Sequence, residues 1–244
     1  MLPLLLASSS VYRRELLSRL HLPFTCSSPD IDESHRPDES AIDLVKRLAE
    51  QKARALADSH PAHLIIGSDQ VAVLGERIIG KPHTFENARE QLMAASGASV
   101  TFLTGLALLN SQTGHCQVDC VPFTVHMRVL DQARVERYLH AEQPYDCAGS
   151  FKAEGLGVSL FQSTEGPDAT SLIGLPLIRL IDMLLAEGVQ IPLPIKNRPR
   201  RPVFFMHQAI NATMARGNPS TLPTARPHWR PAFSRNDRTA IPER

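Results

Sequence analysis

The sequence predicts an α/β fold with an elongated, mixed and twisted sheet, flanking helices and two lobes around a cleft. Short apolar runs at residues 4–7 and 64–67 have the length and composition of buried strands. Two longer strand-like runs, at residues 100–110 and 117–129, flank a polar turn that contains Gly114. Amphipathic segments lie between these runs in irregular order, which is typical of a mixed sheet covered by helices.

The first half of the chain is predicted to contain both strands and helices. The predicted elements are a strand at 4–7, helices at 11–20 and 40–58, a strand at 64–67, a hairpin at 71–79 and a helix at 84–97. Ser40 and Asp43 have capping-box spacing, and Thr84 is a suitable cap for the later helix. The strand at 64–67 is expected to deliver Asp69 to the C-terminal edge of the sheet, where α/β proteins bind ligands.

The second half is predicted to extend the same sheet. The strands at 100–110 and 117–129 are followed by an amphipathic helix at 131–141. A loop at 149–155, bounded by glycines, then leads to a short strand that ends near residue 162. The last predicted helix covers residues 176–187 and is stopped by Gly188.

The composition is that of a globular protein with no predicted membrane contact. Hydrophobic residues make up 43% of the 244 residues. No apolar run approaches the roughly 20 residues that a membrane span requires, and the first apolar run is too short for a secretory signal. The four cysteines form no CxxC pair, so we expect reduced thiols rather than a metal site. A cytoplasmic protein is predicted.

The C-terminal segment differs in composition from the rest of the chain. The net charge of +1 divides into −7 for residues 1–189 and +8 for residues 190–244, and the latter hold nine of the 19 prolines. Such a segment has little capacity for helix or core, so we predict one domain at 1–190 and a disordered extension at 191–244. Contact between this basic extension and nucleic acid is the less favoured alternative.

The chain start carries the strongest functional pattern. Ser8, Ser9 and Ser10 follow the first strand, and Arg13 and Arg14 lie in the first turn of the next helix. Backbone N–H groups at a helix start, small residues and guanidinium groups together suit a chain of phosphates.

Three further motifs extend this pattern to a family resemblance. They are Gln51-Lys52-Ala53, Gly67-Ser68-Asp69-Gln70 and Gly80-Lys81-Pro82. Together with the serine run and Arg13-Arg14-Glu15-Leu16-Leu17, they resemble the Maf family of nucleotide pyrophosphatases over about residues 1–190. The resemblance implies a nucleotide in the cleft between the lobes. It also implies attack of water at the α–β phosphoanhydride, with release of a nucleoside monophosphate and pyrophosphate.

The resemblance assigns roles to particular residues. Ser8, Arg13 and Arg14 would bind the substrate phosphates. Catalysis would rest on Asp69 as general base, with Glu33, Lys52 and Lys81. Glu33 and Asp69 would also hold a divalent cation, Mg²⁺ or Mn²⁺, and the neighbouring Asp32 is left open as a helper. The implied partner is a small-molecule nucleotide, and a homodimer is an expectation of the same kind.

Three positions bear on the base of the nucleotide. Tyr12, Gln70 and Glu154 resemble the 7-methyl-GTP branch of the family, in which an aromatic residue precedes the arginine pair. An aromatic face attracts a cationic methylated guanine, and a carboxylate accepts from guanine N–H groups. Tyr12 stands where that branch commonly has Trp. The alternatives are the dTTP/UTP activity of other branches and a nucleotide-binding regulator of septum formation without turnover.

Overall fold

The computed structural model of this chain describes residues 2–193. The predicted extension at 191–244 therefore lies almost entirely outside the described residues. The strands are Leu4–Ala7 (β1), Phe24–Ser27 (β2), Leu64–Leu74 (β3), Arg77–Ile79 (β4), Ser99–Asn110 (β5), Cys116–Met127 (β6) and Phe161–Glu165 (β7). The helices are Val11–Ser18 (α1), Ala41–Arg54 (α2), Phe85–Ala94 (α3), Gln132–Glu142 (α4), Ala169–Ile173 (α5) and Leu177–Ala186 (α6), with 3₁₀ segments at Ala148–Ser150 and Leu156–Leu160.

The seven strands form one mixed sheet, as predicted. The order is β2-β1-β3-β5-β6-β7, and β4 pairs with β3 outside this path. β1 is parallel to β2 and β3, whereas β3, β4, β5, β6 and β7 pair antiparallel. The α/β class and the sheet flanked by helices are confirmed.

A gap interrupts one edge of β3. Because β5 pairs with β3 from Leu64 to Leu74, β1 and β4 must share the opposite edge. β1 pairs there with residues 64–66 and β4 with residues 72–74, so no strand of the described range 2–193 pairs with residues 67–71 on that edge. The segments that follow β1 and β4, Ser8–Ser10 and Gly80-Lys81, both begin beside this gap.

The continuity of β3 corrects one prediction. The sequence predicted separate strands at 64–67 and 71–74, with Asp69 beyond the end of the first. In the structure a single strand runs through Asp69, because β5 supplies a partner for every residue between. Asp69 therefore lies beyond the end of β1 but in the middle of β3.

The two halves of the sheet have separate cores. Around β1 and β3, α1 and α6 cover one face with Leu17 and Leu180, and α2 covers the other with Ala49 and Ala53. Around the far end of β5 and β6, α3 and α4 pack on a third cluster that includes Phe102. The gap in β3 lies between these cores.

The helix starts follow local sequence closely. Ser40, Thr84 and Asp131 are the N-caps of α2, α3 and α4, and each side chain accepts a backbone N–H from three residues further on. β2 and α5 were not predicted, because at four and five residues they are too short for a periodic pattern.

No helix within residues 2–193 has the length and apolar character to cross a membrane. The four cysteines are free thiols.

Two glycines bring α2 close to the sheet. A Cβ atom at Gly67 of β3 would collide with the carbonyl of Ala49, and one at Gly105 of β5 would collide with that of Val45. Gly105 is paired with Asp69 across the strands. The close approach therefore sets the distance between α2 and Asp69, the candidate general base.

Candidate active site

Lys52, Asp69 and Glu33 form an ionic group on the α2 side of the sheet. Lys52 Nζ lies 2.7 Å from Asp69 Oδ1 and 2.8 Å from Glu33 Oε1. The side chains of Lys52 and Asp69 are only 8% and 12% exposed, whereas that of Glu33 is 59% exposed. Two carboxylates from distant parts of the chain thus converge on one ammonium, as the predicted catalytic roles require.

The loop that carries Glu33 is attached to α2 through Arg47. The Arg47 guanidinium donates to both carboxylate oxygens of Glu39, at 2.6 and 2.8 Å, and to the Ser34 carbonyl at 3.0 Å. The hydrogen bonds from Arg47 lower the pKa of Glu39 to about 2, so this carboxylate stays ionised. The clamp between Arg47 and Glu39 therefore helps to place Glu33.

Asp32 is turned toward its own loop. Its carboxylate accepts the backbone N–H and the hydroxyl of Ser34, both at 2.9 Å, and these hydrogen bonds lower its pKa. Asp32 makes no ion pair with another residue in the described range 2–193. Of the two acidic residues, Glu33 is the one that the structure brings to Lys52.

The serine run forms a tight turn at the start of α1. Ser8 is buried, and its Oγ accepts the Ser10 N–H at 3.1 Å. Ser10 in turn caps α1 by accepting the Arg13 N–H at 3.3 Å. Arg13 donates from Nε to the Gly174 carbonyl at 2.8 Å. Burial lowers the pKa of Arg13, while the charges of Asp69 and Glu33 oppose this shift.

A cavity opens beside the gap in β3. Aromatic and aliphatic side chains form part of its wall, namely Phe102, Phe151, Leu172 and Ile173. Its polar lining is Ser10, Tyr12, Arg13, Gln70, Lys81, Asp146, Cys147 and Glu154. The predicted base-specificity residues are thus brought together with Arg13 and Lys81. Arg14 is exposed and does not line the cavity.

Tyr12 has an acidic surrounding in the cavity. Burial raises the pKa of its hydroxyl, and the negative charges of Glu154 and Asp146 add to the rise. Burial likewise raises the pKa of Cys147, which lines the same cavity. Both groups are therefore protonated and neutral at physiological pH, and the two carboxylates supply the charge of this part of the cavity.

Asp69 and Gln70 lie on opposite faces of β3, because successive side chains alternate along a strand. Asp69 points toward α2 and Lys52, whereas Gln70 lines the cavity. Since no neighbouring strand covers the edge of β3 at residues 67–71, the spaces on the two faces of the sheet are continuous around that edge. Arg13 lines the cavity on the Gln70 side.

The amide nitrogen of Gln70 is already occupied. Nε2 donates to the Ser171 carbonyl at 2.7 Å and to Thr104 Oγ1 at 3.0 Å, and it lies 3.2 Å from the Leu172 carbonyl. These acceptors fix the orientation of the amide. The carbonyl oxygen Oε1 is the part of the side chain that remains to accept a hydrogen bond from a ligand.

The motifs that meet at this gap are those of one family. A model of that family, described as Maf-like protein, matches residues 3–187. The chain belongs to the Maf family. A protein of Pseudomonas fluorescens named 7-methyl-GTP pyrophosphatase is 97% identical over 192 residues, which are 79% of this chain and all of the relative.

Other relatives carry the same name. A protein from a second P. fluorescens strain is 88% identical over 192 residues, again 79% of this Maf chain and 100% of the relative. One from Alcanivorax borkumensis is 60% identical over 190 residues, which are 78% of this chain and 96% of the relative. A solved structure of a nucleoside-triphosphatase / dITP/XTP pyrophosphatase from Mycobacterium abscessus is 15% identical, with a TM-score of 0.37, and the match covers 77% of this chain and 98% of that one. That likeness is too low to carry an argument.

The donor set of this Maf site fits a metal that is shared with a substrate. Within residues 2–193, no group of three or more His, Cys, Asp or Glu side chains is arranged to hold a metal ion. Asp69 and Glu33 nevertheless both contact the Lys52 ammonium, so two carboxylates lie beside one another there. Mg²⁺ is commonly bound by one or two carboxylates together with substrate phosphates and water. Two carboxylates therefore suffice for such an ion.

Several residues of the Maf site were not predicted from the sequence. Asp146 and Cys147 line the cavity, and Ser68, Thr104 and Gly174 hold one of its walls. The position of Ser68 beside Asp69 was the one available signal. The others come from segments far apart in the chain, so no local pattern connects them with Tyr12 or Gln70.

Proposed function

We propose that this chain is a nucleoside triphosphate pyrophosphatase that hydrolyses 7-methyl-GTP to 7-methyl-GMP and pyrophosphate. The main observation in support is that the neighbouring residues Asp69 and Gln70 of β3 belong to two different groups beside its open edge. Asp69 pairs with Lys52, which also binds Glu33, and Gln70 lines the cavity that contains Tyr12 and Glu154. A single nucleotide placed across this edge would reach both. The names of relatives that are 97% and 88% identical support the same substrate.

The phosphate chemistry would take place on the α2 side of the gap. Asp69 would accept a proton from water, whose oxygen bonds to the α-phosphorus while the bond to the bridging oxygen of the β-phosphate breaks. Lys52 on this side, and Lys81 and Arg13 from the cavity side, would neutralise charge on the phosphates, with Ser8, Ser10 and the N-terminus of α1 contributing backbone and hydroxyl groups. No covalent intermediate is needed.

A divalent cation is part of this proposal. Asp69 and Glu33 would hold Mg²⁺ or Mn²⁺ together with oxygens of the substrate phosphates. When bound, the ion would offset phosphate charge and make the phosphorus more open to attack. The exposure of Glu33 is consistent with a ligand that joins the site when substrate enters.

The base would be recognised on the cavity side of the gap. N7-methylation gives guanine a positive charge, which the Tyr12 ring and the carboxylates of Glu154 and Asp146 would attract. The N1–H and N2–H₂ groups of guanine would donate to Glu154 and to Gln70 Oε1. Tyr is a weaker partner for cations than Trp, so the two carboxylates would carry more of the selectivity here.

The setting of the enzyme follows from the same proposal. Its substrate is a free nucleotide, and we infer action in the cytoplasm, where free nucleotides are found. A homodimer is proposed from the family resemblance, and the mass of the native protein in solution would test it.

Pyrophosphate release from a nucleotide panel tests the proposal. The panel contains 7-methyl-GTP, GTP, dTTP, UTP and CTP, each with Mg²⁺, with Mn²⁺ and with EDTA. We expect release that is strongest with 7-methyl-GTP and is abolished by EDTA. Preference for dTTP or UTP would retain the reaction but contradict the base assignment. Nucleotide binding without release would favour a regulator without turnover.

A further inference from the structure

Thr104 is a fully buried polar residue that the proposed reaction does not use. It lies on β5 directly opposite Gln70 of β3, and it does not line the cavity. Its Oγ1 accepts a hydrogen bond from Gln70 Nε2 at 3.0 Å and donates to the Ser171 carbonyl at 2.9 Å. One hydroxyl thus joins a candidate base-reading residue to the end of α5.

The carbonyl groups at the end of α5 receive hydrogen bonds from three other elements. A helix leaves its last carbonyls without intrahelical partners, and side chains often satisfy them. The Ser171 carbonyl accepts from Gln70 Nε2 at 2.7 Å and from Thr104 Oγ1 at 2.9 Å. Gln70 Nε2 also lies 3.2 Å from the Leu172 carbonyl. The Gly174 carbonyl accepts from Ser68 Oγ at 3.0 Å and from Arg13 Nε at 2.8 Å. The turn is therefore attached to β3, β5 and α1.

This turn forms one wall of the cavity, through Leu172, Ile173 and Gly174. The side chain of Gln70 faces the same cavity, with its Oε1 available to a base. Because both hydrogen-bonding roles of the Thr104 hydroxyl are used, its loss would weaken the support of Gln70 and of the wall together. Asp69 and Lys52, on the other face of β3, do not touch this network. Arg13 joins it only at the Gly174 carbonyl, which Ser68 also holds, and not at Thr104 or Gln70.

We propose that Thr104 is a positioning residue for recognition of the base. It holds Gln70 and the last turn of α5 in the arrangement that fits a guanine-type base, and it contacts neither the nucleotide nor the reacting phosphates. The inference rests on the proposed function. It requires that loss of the hydroxyl affects the binding of the nucleotide far more than the chemical step.

Steady-state kinetics of Thr104→Ala and Thr104→Ser in the full chain test this role. Both variants lose the methyl group, and only the serine variant keeps the hydroxyl. We expect Thr104→Ala to raise KM for 7-methyl-GTP about tenfold with kcat changed less than about threefold, and Thr104→Ser to stay within about twofold of wild type in both.

Thr101→Ala is the matched control. Thr101 is on the same strand, and its hydroxyl is 3.1 Å from that of Thr124, away from the cavity. Its KM is expected to equal that of wild type. The inhibition constant of inorganic tripolyphosphate, which has phosphates but no base, is expected to be unchanged in Thr104→Ala. If Thr104→Ala does not fold, Thr104→Val, which keeps the volume without the hydroxyl, replaces it.

The possible results separate this inference from the proposed function. A wild-type enzyme that releases no pyrophosphate from 7-methyl-GTP contradicts the proposed function. An active wild type with equal KM values in Thr104→Ala and Thr104→Ser overturns the role of Thr104 alone. A fall in kcat at unchanged KM, or a matching weakening of tripolyphosphate inhibition, also overturns it.

Discussion

The Asp69 carboxylate and the Lys52 ammonium form a largely buried ion pair. Removing one member of a buried ion pair leaves the other charge without a partner, at a cost of about 3–5 kcal/mol. Glu33 is mostly exposed, and an exposed pair of this kind contributes about 1 kcal/mol or less. Asp69 therefore holds Lys52 in place, and Glu33 is the more easily displaced partner.

Asp69→Asn is expected to abolish most of the activity and, because Lys52 loses its buried partner, to lower the free energy of unfolding by up to about 3–5 kcal/mol. The amide has the shape of the carboxylate but cannot accept the proton of the attacking water, so kcat should fall by about 10²–10⁴-fold. The measurement is pyrophosphate release at saturating 7-methyl-GTP, with nucleotide affinity determined by calorimetry.

Asp32→Asn is the control for this change. Asp32 carries the same charge one residue from Glu33, but its hydrogen bonds go to Ser34. We expect its kcat to stay within about twofold of wild type. Unchanged turnover in Asp69→Asn, with nucleotide still bound, would show that another group accepts the proton.

Among the elements, α2 has the tightest constraint. Its backbone lies directly on Gly67 and Gly105, where a side chain of any size would meet a carbonyl group of the helix. Lys52 is in the last turn of the same helix, so its distance from Asp69 depends on this approach. The glycines act through packing, without any contact with a ligand.

Gly105→Ala is expected to move α2 away from the sheet. The added methyl group meets the Val45 carbonyl, and such overpacking should lower the free energy of unfolding by about 2–4 kcal/mol. We also expect a lower kcat, because the shift of α2 would lengthen the contact between Lys52 and Asp69. Urea unfolding and turnover measure the two effects. Gly80→Ala is the control for stability, since nothing lies near its Cβ position, and it should change the unfolding free energy by less than about 0.5 kcal/mol. Equal stability of the two variants would refute the close packing of α2.

For the whole molecule, the main question is which part of the chain the enzyme needs. The family match ends at residue 187, and a relative with 97% identity is covered completely by 192 residues of alignment. Val189 is buried in the core with α6, and Ile191 packs against it. The minimal enzyme therefore has to include these residues, whereas the Pro- and Arg-rich extension adds charge without any family motif.

A chain cut after Leu193 is expected to keep the activity of the full chain within about twofold and the same melting temperature. Retention on RNA or DNA columns at low salt should also be the same for both forms. Activity that disappears on truncation would show that the extension belongs to the enzyme. Retention that disappears would favour a nucleic-acid role for residues 194–244.

Local sequence was sufficient for much of this fold. The caps at Ser40 and Thr84 were predicted because a cap needs only neighbouring residues. The long strands β5 and β6 were predictable for a similar reason, since a turn joins them directly. The motifs around Asp69 and Lys52 were recognisable because they are short and contiguous. Family membership and the α/β class could thus be inferred before any contact was known.

The gap in β3 and the wall of the cavity arise from pairing between residues that are far apart in the sequence. The gap at residues 67–71 exists because β1 and β4, which are far apart in sequence, pair with the same edge of β3. The attachment of α5 to Gln70 and Thr104 joins residues that are 101 and 67 positions apart, for which no local pattern exists. Periodicity and capping record only near neighbours, whereas a cavity wall depends on which distant segments pack together. The candidate catalytic side chains could therefore be proposed from motifs, but their arrangement relative to the cavity follows from tertiary packing.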